Sequence, residues 1–242
     1  VAEDLDRILT EVFGEEEDVP EDLSPFDREG YDENGWRRRV QPSEARALKP
    51  HYQWGEARRG DTAALRQVLE AAPDERPLQA FLEEHARLLA ASFLTGGHGR
   101  YVRPQVRLGS QWVADFLIAE RSSMGLFWTL VEIESPRAPM FLQSGEWSKE
   151  SRHAIHQILS WRRWLQENLD YARKPMGVGL GLVDIEHSPE GVILVGRHEH
   201  VKPDADWLRR DLFREQRILV HSYDDFVARV ESHEGRARGR GS

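Results

Sequence analysis

The sequence predicts an α/β fold, a mixed central β-sheet flanked by helices, on three observations. Runs rich in β-branched and aromatic residues follow one another at 101–108, 111–119 and 126–134, separated by Gly109-Ser110 and by the Ser-Ser-Met-Gly turn at 122–125. A long helical pattern occupies 146–170. Further apolar runs at 176–185, 191–197 (GVILVGR) and 217–221 (RILVH) are then interleaved with a helical pattern at 204–214. Strands first in succession and then alternating with helices describe one sheet with both antiparallel and parallel neighbours.

In chain order, residues 1–35 form an acidic arm whose only periodic stretch is Leu5, Ile8, Leu9, Val12 and Phe13. Residues 36–74 read as a helical or irregular extension, with a short helix at 61–72 capped by Asp61. The main domain is expected over 75–232. It opens with a helix at 77–93 that starts at Pro77 and places Leu78, Phe81, Leu82, Leu88 and Leu89 on one stripe. A closing helix begins at Tyr223, and 233–242, with arginines among glycines, reads as a disordered tail.

Bulk properties exclude several function classes. The 242 residues contain no cysteine, so neither a disulfide framework nor thiolate chemistry is available. No run approaches the roughly 18 apolar residues that a membrane span needs. The opening VAEDLDRILTEVF lacks the basic start and apolar run of a secretory signal, which makes cytoplasmic residence the expectation. The net charge of −9 is unevenly placed: residues 1–34 contain 14 acids and 2 bases, leaving 28 acids and 31 bases in the rest. A mildly basic body could attract phosphate, while the arm would oppose it or dock a partner.

The chemistry is expected at Asp115 and at Glu132-Ile133-Glu134. Residues two apart on a strand share a face, so Glu132 and Glu134 project together. Asp115 sits inside the apolar WVADFLIA, and a hairpin of 111–119 with 126–134 brings it toward Glu132 near the end of the pair. Three carboxylates gathered in apolar surroundings repel one another unless they share a cation. Mg²⁺ or Mn²⁺ fits, as a hard ion that takes carboxylate oxygens, water and phosphate. Pairing of the acids with arginines, or their lying on a solvated sheet face, is the alternative. On the helix at 146–170, Ile155, Ile158, Leu159, Leu165 and Leu169 form an apolar face, with His153, Gln157, Trp161 and Trp164 together opposite it.

These segments resemble the Shedu-type anti-phage proteins, whose C-terminal domain looks like a restriction-endonuclease-like, PD-(D/E)XK nuclease. The resemblance runs from about Glu75 to Val230 through FLEEHARLL (81–89), VADFLIAE (113–120), LVEIESPRAPMF (130–141), HAIHQILSW (153–161), GVILVGR and HSYDDF (221–226). It implies a metal-dependent DNA endonuclease that assembles as a homo-oligomer. It makes Asp115 the motif aspartate, Glu132 the motif glutamate and Gln157 the helix glutamine, with Trp161 where an aromatic is expected. Glu84 is the expected glutamate of the preceding helix, with Glu75 the second candidate. His153, Trp161 and Lys149 are the expected nucleic-acid contacts.

One position departs from the pattern: Glu134 stands where the motif lysine belongs. That lysine supplies a fixed positive charge to the transition state, which a carboxylate does not replace. Glu134 could serve as ligand or general base, or Lys149 could swing in. The alternative is a catalytically impaired nuclease-fold domain that binds nucleic acid or a partner as a regulatory module. Other patterns carry less. Gly177-Val-Gly-Leu-Gly lies within a strand-like run and is not followed by a helix. His198-Glu199-His200 has no third zinc ligand at a convincing spacing.

Overall fold

The structure, a computed structural model, describes residues 46–53, 56–95, 99–200 and 205–239. The acidic arm lies outside the described residues. The helices are α1 (Asp61–Ala71), α2 (Arg76–Glu84), α3 (Arg87–Phe93), α4 (Lys149–Arg173), α5 (Asp206–Gln216) and α6 (Tyr223–Gly239). The strands are β1 (Arg100–Leu108), β2 (Trp112–Ser122), β3 (Gly125–Ile133), β4 (Glu190–Leu194) and β5 (Ile218–His221). Among the described residues the strands form one sheet in the order β1-β2-β3-β4-β5. The first three run antiparallel and the last two are added in parallel. The α/β class and the mixed, helix-flanked sheet are as the sequence predicts. No helix among the described residues is long and apolar enough to cross a membrane.

Strand alternation divides the sheet between two layers. Val102, Phe116, Ile118, Val131, Ile133, Val192 and Leu194 face a core shared with Leu65, Leu69, Leu78, Leu82, Leu88 and Leu89 of α1 to α3 and with Tyr223 and Phe226 of α6. The opposite face receives α4, which packs on β1, β3 and β4. Gly191 permits that approach: a Cβ there would meet Cγ2 of Ile158 at 2.9 Å. Asp115, Glu132 and Glu134 have the parity of the α4 side, where the β2–β3 pairing ends.

Three elements differ from the sequence expectation. The run at 176–185 is not a strand. Gly177, Gly181 and Asp184 take positive φ, which turns the chain repeatedly. Its carbonyls accept from side chains instead of a neighbouring strand: Leu180 from Arg103 Nη1 at 2.6 Å, Val183 from Trp128 Nε1 at 2.7 Å and Ile185 from Arg173 Nε at 2.8 Å. The helix expected at 77–93 is two helices, broken at His85 (φ −114°, ψ 39°). The His85 ring stacks on Phe81 with centroids 4.2 Å apart, and Leu88, Leu89, Ala90 and Ala91 all become buried after the break, more than one straight stripe could cover.

The third difference is the cap of α1. Asp61 is its first helical residue and Gly60 (φ 96°) its N-cap. Asp61 instead accepts from Arg58 N at 2.6 Å and forms an ion pair with Arg87 at 2.6 Å. The free backbone donors of that helix end are met by Glu234 of α6, which accepts from Gly60 N at 3.0 Å, Thr62 N at 3.3 Å and Thr62 Oγ1 at 2.6 Å. Accordingly α6 extends to Gly239, into the segment that the sequence reads as a tail.

Candidate metal centre

The β2–β3 hairpin has its register at Phe116↔Val131, which leaves Asp115 and Glu132 facing one another one step beyond the last paired position. There the Asp115 side chain takes over from the backbone ladder: its Oδ2 accepts from Ile133 N at 3.0 Å. Its Oδ1 accepts from Gln105 Nε2 at 3.4 Å. Gln105 lies across from Asp115 in β1 and has φ 49°, so the edge strand is kinked where its amide reaches the acid. Beyond β3 the chain stays in register, with Glu134 N donating to Leu194 O at 2.8 Å. The Tyr223 hydroxyl donates to the Glu134 carbonyl at 2.8 Å and fixes that end from the other layer.

Helix α4 supplies the second wall. Ser148 caps it, its hydroxyl accepting from Ser151 N at 3.0 Å, and Ser151 Oγ donates to Met140 O at 2.8 Å. The first turns are thereby tied to the loop that leads from β3. His153 and Gln157, one turn apart, then point at the strand end. His153 Nδ1 lies 2.9 Å from Glu134 Oε1, and Gln157 Nε2 donates to Glu132 Oε1 at 2.6 Å.

The electrostatics are those of acids gathered at one strand end, with His153 beside Glu134. Glu132 is 3% exposed. Burial, and next the charges of Asp115 and Glu134, push its carboxyl well above the usual range. Asp115 is also raised by burial, against the lowering effect of the hydrogen bonds that it accepts from the Ile133 amide and Gln105. Glu134 is raised by burial and lowered by His153. Glu132 Oε2 is buried and has no hydrogen-bond partner. An orphaned carboxylate oxygen aimed into an acidic cluster is the donor that a divalent ion would use. Glu132, Glu134 and His153 each offer a ligand atom within 4.8 Å of the others.

Not every expected residue joins this centre. Asp115, Glu132, Glu134, Gln157 and His153 are brought together. Glu84 is exposed on α2. Glu75, at the N-cap of α2, is the acid on that side whose charge raises Asp115 and Glu134. Lys149 is exposed at the first position of α4. Trp161 is corrected outright as a nucleic-acid contact: it is fully buried, in a core row with Ala154, Ile158 and Leu165, while Leu159 of the expected apolar face is exposed. Gln105 and Tyr223 were not singled out from sequence. HSYDDF contains Tyr223, but nothing local says that its hydroxyl reaches a strand end 89 residues away.

The model of the family described as Shedu protein SduA, C-terminal, matches residues 72–227, from the residue that follows α1 to the second turn of α6. It spans all five strands and every residue of the acidic centre. No curated protein matches the chain.

Proposed function

The chain belongs to the family of the C-terminal part of the Shedu protein SduA, and on that premise we propose that it is a metal-dependent DNA endonuclease of anti-phage defence. The observation that carries this reading is the meeting of Asp115, Glu132 and Glu134 at one strand end, with the buried Glu132 Oε2 left without a partner. Three antiparallel strands extended by two parallel ones, with α4 over the acidic end, support a restriction-endonuclease-like core.

Asp115, Glu132 and Glu134 would hold Mg²⁺ or Mn²⁺. Such an ion, when bound, polarises a phosphate oxygen and makes water a better nucleophile. The residues of the chain orient and neutralise around it. Gln157 fixes the Glu132 carboxylate through Oε1 and leaves Oε2 facing the centre. Glu134, held by His153 at 2.9 Å and by Tyr223 through its carbonyl, would accept a proton from an attacking water. Glu75 adds negative charge on the α2 side and is a better candidate than Glu84 for the helix glutamate.

Purified protein with Mg²⁺ or Mn²⁺ should cut linear, nicked or single-stranded DNA, and Asp115→Ala should abolish cutting. Absence of cleavage on all three forms, together with absence of divalent binding by calorimetry, overturns the proposal. A second reading, a nuclease-fold binding module, is favoured by one observation: Glu134 occupies the position of the lysine. It predicts DNA or partner binding that survives Asp115→Ala, and divalent-dependent cutting by the wild type eliminates it.

A further inference from the structure

The loop between β3 and α4 builds a surface that the acidic centre does not use. Phe141 and Trp147 meet as an antiparallel bridge, with Leu142 N donating to Glu146 O at 2.8 Å and Gly145 (φ 87°) turning the chain between them. The buried Phe141 ring stacks on Trp147 with centroids 4.7 Å apart, so the Trp147 indole is held in place from within the protein. The first turn of α5 adds Leu208 and Trp207, and the Trp207 side chain is 57% exposed. Helix α5 has no fully buried residue, so Trp207 is not its anchor to the core. Together with Arg152 of α4, these residues line a groove of about 580 Å³, in the size range of small-ligand sites.

From this geometry we propose that the groove binds an unpaired nucleotide of a DNA strand, with its base against the indoles of Trp207 and Trp147 and its phosphate on Arg152. The proposal rests on the DNA reading above and adds to it a contact outside the acidic centre, together with a preference for unpaired strands. Three observations select this occupant. The first is the lining itself. Aromatic planes beside a guanidinium hold single strands, because every base has a face to stack and every nucleotide a charge. A duplex keeps its base faces covered by one another. The second is charge. Arg152 is exposed and makes no ion pair among the described residues, whereas Glu146 of the lining accepts from Ser144 Oγ at 3.3 Å. Arg210 and Arg214, both exposed, follow Trp207 at i+3 and i+7 on the same side of α5, with Asp211 between them. Such a mixed strip suits a few phosphates and not the long phosphate track of a duplex. The third is position. Arg152 immediately precedes His153, whose Nδ1 lies 2.9 Å from Glu134 Oε1. Consecutive Cα atoms are about 3.8 Å apart, so a strand lying at the acidic centre can run on into the groove.

The test uses the full chain in chelator, without divalent ions, so that binding is read apart from cleavage. The probes are labelled oligothymidylate and a blunt duplex. The proteins are wild type, Trp207→Ala, Trp207→Phe, Arg152→Gln and, as control, Phe213→Ala, an exposed ring of α5 outside the groove. Fluorescence anisotropy should show oligothymidylate affinity falling about tenfold in Trp207→Ala, the effect of one lost stack. Most of the affinity should return in Trp207→Phe and all of it should remain in Phe213→Ala. Affinity for the blunt duplex should not change in Trp207→Ala. Arg152→Gln should flatten the dependence of log affinity on log salt by about 0.7, the share of one single-strand phosphate. A wild type that binds no oligothymidylate, equal oligothymidylate affinities in wild type and Trp207→Ala, or an equal loss on the blunt duplex overturns the proposal. So does sedimentation in which Trp207→Ala dissociates an oligomer while its oligothymidylate affinity is intact, which would make the groove a contact between copies. The two readings fail separately. Trp207-dependent strand binding with no divalent-dependent cutting leaves the groove standing and removes the nuclease; cutting with strand binding that ignores Trp207 does the reverse.

Discussion

Gln157 Nε2 meets Glu132 Oε1 at 2.6 Å, joining the third turn of α4 to the last residues of β3. This contact decides which Glu132 oxygen remains available, because one is engaged and the other is buried without a partner. Replacing Gln157 with Leu keeps the volume and removes the donor. Divalent affinity should then fall by about 10-fold or more, in the range expected when an outer-shell partner of a ligand is lost. The melting temperature of the metal-free protein should stay within about 2 °C of wild type, since Gln157 is only half-buried. Calorimetry on the two proteins checks this, and equal affinities would show that Glu132 needs no orientation by Gln157.

How much of this centre is visible in the sequence follows from how far each signal reaches. Alternation along β3 places Glu132 and Glu134 on one face from spacing alone, and the hairpin turn at Ser122 to Gly125 is enough to bring Asp115 alongside. The helix register then places His153 and Gln157 on one side of α4. Trp161 is where that reasoning fails. A ring at helical spacing from Gln157 shares its side of the helix, but only tertiary packing shows that one more turn moves it off the sheet's acidic end and into the core. The choice between Glu75 and Glu84 fails for a related reason. Periodicity ranks Glu84 by its position along a straight 77–93 helix, and the break at His85 together with the approach of Glu75 to the strand ends depends on long-range contacts. The 176–185 run has strand composition, yet its glycines are used for positive φ and not for close sheet packing.

Glu132 should cost stability when no metal is bound. Its carboxyl is raised well above the usual range by burial and by the neighbouring Asp115 and Glu134 charges. A folded pKa raised above the unfolded one means that the ionised form is penalised in the native state, increasingly as pH rises. Glu132→Gln removes the charge and retains the shape and the acceptor for Gln157. At pH 8 without divalent ions the variant should be more stable by about 1 kcal/mol. That corresponds to a rise of roughly 2–4 °C in melting temperature for a chain of this size. Added Mn²⁺ should stabilise the wild type and leave the variant unchanged. A variant that melts below wild type at pH 8 would mean that the carboxylate is satisfied in the native state.

The opposite sign is expected at His221, in the last position of β5. It is 8% exposed, its Nε2 has no hydrogen-bond partner, and Phe93 lies against its ring with centroids 5.6 Å apart. Burial first, then the positive charges of Arg229 and Arg209, lower its pKa from 6.5 to about 4, with Asp225 acting weakly in the other direction. A histidine with a lowered folded pKa takes up its proton more readily when unfolded. Its contribution is therefore complete above about pH 6.5 and is lost progressively as pH falls toward 4. A displacement of that size corresponds to about 3 kcal/mol. Denaturant unfolding between pH 7.5 and 4.5 should show wild-type stability declining on the acid side. In His221→Phe, which keeps a ring against Phe93 and removes the titrating nitrogen, the decline should be clearly shallower. Because the raised carboxyl of Glu132 contributes with the opposite sign as pH falls, the comparison is the difference between the two proteins at each pH. If that difference stays constant from pH 7.5 to 4.5, His221 is not the group whose protonation destabilises the fold.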